Sequence, residues 1–268
     1  MKIIITAGKT TERIDPVRKI TNSATGRLGS LIAEEFAGQG KDRMDQIYYI
    51  CEKGTIVPEL NCLETVTVEG VSGVKDKLTE LLTSYEIDAV IHTMAVSDYT
   101  VDRLTTEEGL SEFLAGRLSS VNKHNNQVFL SEPLLAEFIR SCIKENDRLL
   151  DNRNKVGSNI DNLILSMKQT PKLIGLIKAL QPSTILVGFK LLKDVEKEVL
   201  IDTGYELLLK NNCDLVLAND LMDIRGDCHT GLLIAPDKSY TSYGTKSEIA
   251  YGIVKEVMKL IKKRGNQP

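Results

Sequence analysis

The polar segment between the N-terminal apolar run and the first predicted helix contains residue types that can hold an anion. Gly8 follows the run, and Ser23, Gly26 and Gly29 stand where the helix is expected to begin. Backbone N–H groups and the positive end of a helix dipole can hold a phosphate at such a point. A glycine-rich loop can also simply cap a helix, so both interpretations stay open.

Three polar side chains in the same segment favour anion binding. Arg18 and Arg27 can pair with a phosphate, although surface arginines are more often solvated. Asn22 can donate a hydrogen bond, although it is also a common turn or cap residue. A nicotinamide fingerprint would place three glycines within one tight turn. The wide separation of Gly8 from Gly26 is not typical of that fingerprint.

Chemistry can also occur after a middle strand and beside a turn of small residues. Ala95 lets a ligand approach the backbone, and Asp98 can bond to a ribose or a base or help to hold a metal ion. A lone Asp is more often a turn cap. Lys155 stands before a small-residue turn and can reach a phosphate, although most lysines in polar loops are solvated.

Two residues at the ends of later predicted strands can contact a base. Phe189 can stack on it and Asn219 can hydrogen-bond to its edge. Phe189 could equally be a core aromatic residue, and Asn219 could equally be a turn residue. Residues that follow strands are the strongest candidates for a binding site, because ligands of open parallel sheets bind beyond the carboxyl ends of the strands.

Other common chemistries lack the spacing that they need. His92, His124 and His229 have no cysteine or carboxylate at metal-ligand spacing, so the ligands of any metal stay unknown. The sequence contains no GxSxG, GxxxxGKS/T or HExxH pattern. Because the cysteines are odd in number and never form a CxxC pair, we expect reduced thiols. They are Cys51, Cys62, Cys142, Cys213 and Cys228.

These residues need a parallel sheet with helices on both faces to position them. Apolar runs typical of buried strands alternate with segments of helical periodicity, which predicts a Rossmann-like α/β fold. The predicted strands are Lys2–Ala7, Gln46–Ile50, Val66–Val68, Ala89–Met94, Leu163–Met167, Thr184–Phe189 and Asp214–Ala218. The predicted helices are 29–40, Val71–Tyr85, Pro171–Leu180, Val195–Asn211 and Ser247–Lys263. A short antiparallel pair is predicted at Gly231–Ile234 and Lys238–Ser242.

The stretch from about residue 102 to 154 departs from this alternation. It is polar and helical, with helix candidates at Thr105–Leu118 and Glu132–Ile143 and no strand-like run. We therefore predict a single domain over residues 1–268 with a mid-chain helical and loop insertion.

Composition and charge limit the classes of partner. The chain has 268 residues, of which 42% are hydrophobic and 26% charged, and its formal net charge is −3. Bulk charge therefore favours neither nucleic acid nor an anionic membrane as a partner. No apolar window is long enough for a transmembrane helix, and the N-terminal run is too short for a signal peptide. We expect a cytoplasmic protein.

Several blocks along the chain resemble the phosphopantothenate–cysteine ligase family. The opening block runs from Ile3 to Ser23 and continues through Gly26-Arg27-Leu28-Gly29. The later blocks are Met94–Tyr99, Lys155–Ser158, Thr170–Lys172, Val187–Lys190 and Asp214–Asp220. The length of the opening block makes the resemblance specific. The chain starts directly at the ligase strand, so it resembles the stand-alone bacterial form.

The resemblance implies a Rossmann-like homodimer that joins 4′-phosphopantothenate to L-cysteine in coenzyme A biosynthesis. Such a ligase uses a nucleoside triphosphate and Mg²⁺ to make an acyl-nucleotide, which cysteine then attacks. Bacterial members typically use CTP and the eukaryotic type ATP, so the prediction is CTP, with CMP and pyrophosphate as products. A separate phosphopantothenoylcysteine decarboxylase is a further implied partner. The chemistry needs charge neutralisation and alignment rather than a protein nucleophile.

The resemblance and the residue types together predict a site. Three residues are predicted to be catalytic: Asn22, which would contact the acyl intermediate, Lys155, which would neutralise the triphosphate, and Arg18, which would support the loop or the second step. The predicted nucleotide-binding residues are Ala95, Asp98, Lys155, Phe189, Lys210 and Asn219. The predicted phosphate- and substrate-binding residues are Gly8, Ser23, Gly26 and Gly29.

The sequence also departs from the family pattern. Glu206 stands where the family has a lysine one turn before Lys210, and Gly157 stands where serine is common. The long stretch of about 102–154 is predicted to cover the pantothenate site or to extend the dimer. The alternatives are an NAD(P)-dependent short-chain reductase, although no Tyr-x-x-x-Lys pair follows the middle strand, and a non-catalytic nucleotide-sensing module.

Overall fold

The secondary structure alternates between strands and helices along most of the chain. We describe residues 1–40, 43–124, 131–226 and 228–265 of a computed structural model. The strands are β1 Lys2–Thr6, β2 Thr11–Arg13, β3 Lys19–Thr21, β4 Gln46–Cys51, β5 Leu63–Thr67, β6 Ala89–His92, β7 Tyr99–Thr106, β8 Leu163–Gln169, β9 Ile185–Leu192, β10 Leu215–Asp220, β11 Ile224–Arg225, β12 Cys228–Ile234 and β13 Tyr240–Thr245. The helices are α1 Arg27–Gln39, α2 Gly70–Ser84, α3 Glu107–His124, α4 Glu132–Glu145, α5 Leu173–Leu180, α6 Lys197–Asn211 and α7 Lys246–Gly265.

The first of two structural units consists of Met1–Thr11, Thr21–Ser97 and Pro171–Pro268. Its parallel strands run in the order β5-β4-β1-β6-β9-β10. The order reverses between β1 and β6, because the chain adds β4 and β5 on one side and β9 and β10 on the other. A crevice at the carboxyl ends of two such strands is where ligands bind in this architecture. The predicted Rossmann-like α/β fold is confirmed.

The three consecutive isoleucines of β1 are buried because helices cover both faces of the sheet. Ile3 and Ile5 belong to the core cluster formed with α1 and α7, whereas Ile4 belongs to the cluster formed with α2 and α5. Side chains alternate between the faces of a strand, so an unbroken apolar run fits a strand that is buried on both sides.

Antiparallel strands extend the sheet beyond β10. Strand β12 pairs with β10, β11 and β13, and α7 follows β13 directly. The predicted antiparallel pair is therefore confirmed, although its strands are longer than expected and begin at Cys228 and Tyr240.

The second unit consists of Glu12–Ile20 and Asp98–Thr170. Its antiparallel strands β7 and β8 pair in a separate two-stranded sheet, and it also contains α3 and α4. The prediction that the mid-chain stretch has no strand was wrong, since β7 continues to Thr106. The assignment of Leu163–Met167 to the main sheet was also wrong, since this segment pairs with β7.

The strand β7 was missed because its sequence lacks a buried apolar run. Only Leu104 and Thr105 of its eight residues are buried, and Asp102 and Arg103 form an ion pair at its partly exposed surface. A ladder that buries so little apolar surface leaves weak periodicity in the sequence. The predicted insertion of about 102–154 lies within the residue range of the second unit, and the single-domain description of 1–268 stays a prediction.

Candidate functional site

The loops that follow β1 and β6 lie side by side at the carboxyl edge of the parallel sheet. The Ala95 N–H donates to the Gly8 carbonyl at 2.9 Å, and the Thr10 N–H donates to the Ala95 carbonyl at 3.2 Å. A parallel bridge between Lys9 and Ala95 continues the ladder beyond both strands. The structure thus brings together Gly8 and Ala95, which were predicted on separate grounds to bind phosphate and nucleotide.

Asn22 belongs to the same group of residues. Its Nδ2 donates a hydrogen bond to the Ala95 carbonyl at 3.0 Å, although the residue is exposed. The neighbouring Thr21 Oγ1 donates to the Thr10 carbonyl at 3.0 Å. We call the residues that join β1 to α1, from 7 to 26, the arm, and these two contacts hold the part around Thr21 and Asn22 against the sheet edge. One N–H of the carboxamide is therefore engaged, while the residue as a whole stays exposed.

Glycine is required at two positions where the arm meets the sheet. Gly8 and Gly26 have φ angles of 80° and 85°, a conformation that L side chains rarely adopt. A Cβ on Gly8 would lie 2.4 Å from Thr55 Oγ1, and one on Gly26 would lie 2.3 Å from Thr55 Cγ2. A Cβ on Gly29 would lie 2.6 Å from the Cβ of Ala7. These glycines therefore allow α1 to begin in close contact with the end of β1.

The first turn of α1 presents backbone donors near this arm. Gly26 is the N-terminal cap residue and has no side chain that could accept a first-turn N–H, although Thr25 Oγ1 accepts the Arg27 N–H at 3.4 Å. Its carbonyl accepts from the Ser30 N–H at 3.0 Å, which starts the helical ladder. First-turn N–H groups lack carbonyl partners within their helix and carry the positive end of its dipole. Ser23 is exposed just before this turn. The arrangement suits a phosphate or carboxylate group.

Glu52 orders the beginning of the arm, and the sequence analysis missed it. This buried carboxylate accepts the Thr11 N–H at 2.8 Å, the Thr11 hydroxyl at 2.6 Å and the Gly70 N–H at 2.7 Å. It thereby ties the arm to the first residue of α2. Glu52 directly follows β4, so the same strand-end rule that selected Asp98 could have found it.

In the second unit, Arg18 and Asp15 hold the segment that carries Lys155. Arg18 donates to Asp15 Oδ2 through Nε at 2.9 Å and through Nη2 at 2.5 Å. Arg18 Nη2 also donates to the Val156 carbonyl at 2.9 Å. Hydrogen bonds from the Arg18 side chain and from the backbone lower the pKa of Asp15 well below its usual range. Lys155 itself is exposed.

Asp98 is the first residue of the long segment of the second unit. It is exposed, and its carbonyl accepts the Thr170 N–H at 3.0 Å, next to the pairing of β7 with β8. Its side chain is thus presented at the surface of this unit. The predicted role in nucleotide binding stays a prediction.

Phe189 and Asn219 are internal residues of neighbouring strands rather than residues after strands. Phe189 faces Leu217 across the β9–β10 pairing and packs against the main core cluster, because β9 continues to Leu192. Asn219 is buried in β10. The expected strand ends at Phe189 and Ala218 were therefore wrong, and both nucleotide-binding roles stay predictions.

The true end of β10 is marked by Asp220. Its carboxylate accepts the Met222, Val195 and Asp194 N–H groups at 2.8, 2.9 and 3.1 Å. Hydrogen bonds from the backbone, above all from Met222 and Val195, lower the pKa of this carboxyl. Asp220 thus fixes the loops that follow β9 and β10.

Lys210 lies in the last turn of α6, five positions before β10 begins at Leu215. The residue is exposed. Its neighbour Asn211 packs beside the first turn of α5, with Oδ1 3.5 Å from the position of a Cβ on Gly175. Among the described residues, Lys210 makes no hydrogen bond or ion pair with the group formed by Gly8, Asn22 and Ala95. The role of Lys210 in nucleotide binding therefore stays a prediction.

Two histidines, His92 and His229, are buried, and the cysteines form no disulfide among the described residues. Burial lowers the pKa of both His92 and His229 to about 4. His92 Nδ1 is 2.8 Å from Thr6 Oγ1, and the side chain of His124 lies outside the described residues. The five cysteines are free, as predicted, and burial raises the pKa of the Cys51 and Cys213 thiols to about 11 and 12.

Two negative findings apply to the part of the chain that the structure describes. Its His, Cys, Asp and Glu residues include no cluster of three or more that could hold a metal ion. Its helices include none that is long and apolar enough to cross a membrane.

Comparison with known proteins identifies the family. The sequence profile described as the DNA/pantothenate metabolism flavoprotein C-terminal domain matches residues 1–109 and 149–261. The chain belongs to this family. The DNA/pantothenate metabolism flavoprotein C-terminal domain profile leaves out residues 110–148, which include most of the predicted insertion. The match therefore covers the segments with Asn22, Ala95 and Lys155 and not the helical part of the second unit.

Solved structures and curated relatives agree with this assignment. The crystal structure of a DNA/pantothenate metabolism flavoprotein from Streptococcus pneumoniae is 32% identical, with a TM-score of 0.75, and the alignment covers 97% of this chain and 99% of that chain. A mutant of Cab2 in complex with phosphopantothenate-cysteine shares the fold with a TM-score of 0.66 at 15% identity, over 98% of this chain and 86% of that chain.

A curated relative with a longer chain is the coenzyme A biosynthesis bifunctional protein CoaBC of Thermococcus kodakarensis. It is 26% identical over 261 residues, which is 97% of this chain and 51% of the relative. The chain thus spans about half the length of the curated CoaBC proteins of archaea that it matches. Together these findings confirm the family resemblance that the sequence predicts.

Proposed function

We propose that this protein is a ligase that joins phosphopantothenate to cysteine at the expense of a nucleoside triphosphate. The observation that carries the proposal is the hydrogen bond from Asn22 to the Ala95 carbonyl, next to Gly8 and the first turn of α1. This group forms an anion-binding crevice at the point where the strand order reverses. Family membership and the coenzyme A biosynthesis activity named for the CoaBC relatives support it. They favour the ligase over the reductase and sensor alternatives.

In the first step, a carboxylate oxygen of phosphopantothenate attacks the α-phosphorus of the nucleotide. The bond from this phosphorus to the bridging oxygen of the β-phosphate breaks, and pyrophosphate leaves with the electron pair. The acyl-nucleotide formed is a mixed anhydride. Backbone donors at the start of α1 and around Gly8 would stabilise the negative charge that develops on the phosphate oxygens.

In the second step, the amine nitrogen of cysteine attacks the acyl carbon. The amide bond forms, the bond from the acyl carbon to the phosphate oxygen breaks, and the nucleoside monophosphate leaves. The proton lost by the amine goes to solvent. Asn22, held by one N–H on Ala95, would use its remaining polar atoms to orient the acyl group. Alignment of this kind can supply much of the rate without a protein nucleophile.

The remaining predicted residues act on the nucleotide in this proposal. Lys155 neutralises the triphosphate, and Arg18 supports the loop of Lys155 through the Val156 carbonyl. Asp98 bonds to the nucleoside. Phe189, Asn219 and Lys210 are proposed to contact the nucleotide, by resemblance for Phe189 and Lys210 and by residue type for Asn219.

We further propose CTP as the nucleotide and Mg²⁺ as its counterion. Mg²⁺ prefers phosphate and water oxygens to an all-protein cage, so we expect it to arrive bound to the triphosphate. CTP rather than ATP rests on the resemblance to bacterial members. The choice of base is open to a direct test.

Proposals about partners and location extend this function. We propose a homodimer, a separate phosphopantothenoylcysteine decarboxylase that consumes the product, and a cytoplasmic location. The free cysteines fit a reducing compartment. Sedimentation of the purified protein tests the dimer, because a monomer at the working concentration of the assay would contradict it.

A nucleotide comparison tests the proposed function. The protein is incubated with phosphopantothenate, cysteine and one of CTP, ATP, GTP or UTP, while pyrophosphate and phosphopantothenoylcysteine are measured. We expect equal amounts of both products with CTP, and continuous pyrophosphate release only when both co-substrates are present. Absence of pyrophosphate with all four nucleotides would reject the ligase, and a preference for ATP would reject only the choice of base.

A further inference from the structure

Asp15 makes an unusually complete set of hydrogen bonds for a residue in a loop. The residue is 2% exposed, and its Oδ1 accepts the Val17 and Arg18 N–H groups, each at 2.8 Å. Its Oδ2 accepts both contacts from the Arg18 guanidinium and also the Val156 N–H at 3.2 Å. One oxygen therefore shapes the local turn, and the other joins this turn to a segment that lies far along the chain.

Val156 is held at both of its backbone groups. Asp15 Oδ2 accepts its N–H, Arg18 Nη2 donates to its carbonyl at 2.9 Å, and its side chain is buried. The Asp15–Arg18 pair therefore acts on this residue as a clamp with one acceptor and one donor. Two hydrogen bonds and a buried side chain fix the direction in which the backbone enters Val156.

Lys155 immediately precedes the clamped residue. Its side chain is exposed, and no carboxylate of the described residues forms an ion pair with its ammonium group. An unpaired lysine on a flexible stem has many rotamers, so its average position depends on the backbone that carries it. The clamp at Val156 fixes the backbone next to Lys155.

We propose that Asp15 is a positioning residue that holds Lys155 where it neutralises the nucleotide triphosphate. The proposal rests on the proposed ligase function and adds to it a residue that would touch no substrate. A lysine displaced by about 1 Å can lose roughly a hundredfold in rate. The clamp would therefore act on the step that forms pyrophosphate.

The substitution Asp15→Asn tests the clamp with little change in shape. The asparagine oxygen can still accept the Val17 and Arg18 N–H groups, but its amide donates where Arg18 and Val156 need an acceptor. We expect kcat/KM for the nucleotide to fall about 10- to 100-fold in steady-state pyrophosphate assays. Asp151→Asn is the matched control, since Asp151 also pairs with a nearby arginine, Arg153, but does not contact Val156. We expect this control to change kcat/KM less than about twofold.

A double-mutant cycle separates positioning from a general structural role. If Asp15 acts through Lys155, Asp15→Asn should cost less than about twofold when Lys155 is already alanine. An equal loss in both backgrounds would overturn the proposal, and so would the absence of a loss in the wild-type background. If Asp15→Asn does not fold, Arg18→Lys replaces it in the cycle. A lysine cannot hold Asp15 and the Val156 carbonyl together in this geometry, and the same outcomes then decide.

A second readout distinguishes failure of this proposal from failure of the proposed function. Amide hydrogen exchange at Val156 should become faster in Asp15→Asn and stay unchanged in Asp151→Asn, because only Asp15 accepts this N–H. Calorimetric titration with CTP and Mg²⁺ should show weaker binding in Asp15→Asn only. If the wild-type protein makes no pyrophosphate, the ligase proposal fails by itself. If exchange and CTP binding are both unchanged in Asp15→Asn, the positioning role fails whatever the reaction is.

Discussion

The two units of this protein hold their candidate reactive groups in different ways. In the first unit, Asn22 is anchored on a backbone carbonyl, and the surrounding arm fits the sheet through glycines that leave no room for a Cβ. In the second unit, Lys155 is carried by a backbone that an ionised pair, Asp15 and Arg18, holds in place. Close packing at the glycines holds the first group in place, and an ion pair with its hydrogen bonds holds the second.

This difference predicts different sensitivities. A close-packed arrangement does not tolerate added volume, because its neighbours cannot move without disturbing the core. An ion-pair clamp tolerates volume at its exposed side but fails when either partner loses its charge or its hydrogen-bonding atoms.

We expect Asn22→Asp to have the largest effect. The variant replaces an N–H donor by an acceptor opposite the Ala95 carbonyl, and it adds a negative charge next to an anionic intermediate. Amide formation should fall by about 10²- to 10³-fold, either with accumulated acyl-cytidylate or with none formed. Quenched-flow mass spectrometry distinguishes these results. Asn61→Asp, an exposed asparagine of the same unit, is the control, and full turnover in Asn22→Asp would remove Asn22 from the site.

Acid should destabilise the first unit through its buried histidines. Burial lowers the pKa of His92 from 6.5 to about 4, so the unfolded chain binds a proton more readily than the folded one between these values. Stability is therefore present above pH 6.5 and is lost as the pH falls towards 4, by about 3 kcal/mol for this residue. Urea unfolding of wild type and His92→Gln at pH 7 and pH 4.5 measures the difference, and His229 should add to the same trend.

The Asp15 clamp should also weaken in acid, but in a lower range of pH than the one in which His92 acts. Its pKa is lowered, so its contribution is complete above the ordinary carboxyl pKa of about 4 and is lost only as the pH falls below it. The rate of hydrogen exchange at the Val156 amide, divided by its intrinsic rate at each pH, measures how far the clamp has opened. An identical acid dependence of wild type and His92→Gln would contradict the assignment of the earlier loss to His92.

Two glycines of α1 test the role of shape within one helix. A Cβ on Gly29 would meet the Cβ of Ala7 at 2.6 Å, whereas a Cβ on Gly38 would meet nothing within 4 Å. Gly29→Ala should therefore lower the unfolding free energy by about 1–3 kcal/mol and reduce activity. Gly38→Ala should raise it by about 0.5 kcal/mol, because alanine has the higher helix propensity. Similar unfolding free energies for the two variants would contradict the close contact.

Lys210→Ala should have the smallest effect. A single exposed lysine acting on a phosphate or base through solvent contributes little, so KM for the nucleotide should rise by about two- to fivefold with kcat unchanged. Lys263→Ala, which removes an exposed lysine from the last turn of α7, is the matched control. An equal KM in both variants would remove Lys210 from the nucleotide site.

The parallel sheet was predictable because its strands are buried on both faces. Runs such as Ile3–Ile5 are typical of a strand that is covered on both faces, and the glycine after β1 marks its turn. The strands β2 and β3 were missed because each has three residues and is partly polar. The strand β7 was missed because it packs on one weakly apolar surface. Short or half-exposed ladders depend on pairing partners that local periodicity does not reveal.

The candidate site was predictable only where local sequence determines it. Gly8 and Ala95 follow buried strands, so the strand-end rule selects them, and the structure joins them through backbone hydrogen bonds. Asp15 and Val156 are separated by 141 positions along the chain. Neither residue type indicates that contact, and an aspartate in a turn is normally interpreted as a local cap. The strand-end rule failed for Phe189, because β9 does not end there but continues to Leu192.

Transfer of labelled oxygen tests the central claim most directly. Phosphopantothenate labelled with the heavy isotope of oxygen in its carboxylate is converted with CTP and cysteine, and all products are analysed by mass spectrometry. An acyl-cytidylate requires one labelled oxygen to appear in CMP, because the attacking carboxylate oxygen stays on the α-phosphorus when the amide forms. Label in inorganic phosphate, or CMP without label alongside amide product, would contradict the account.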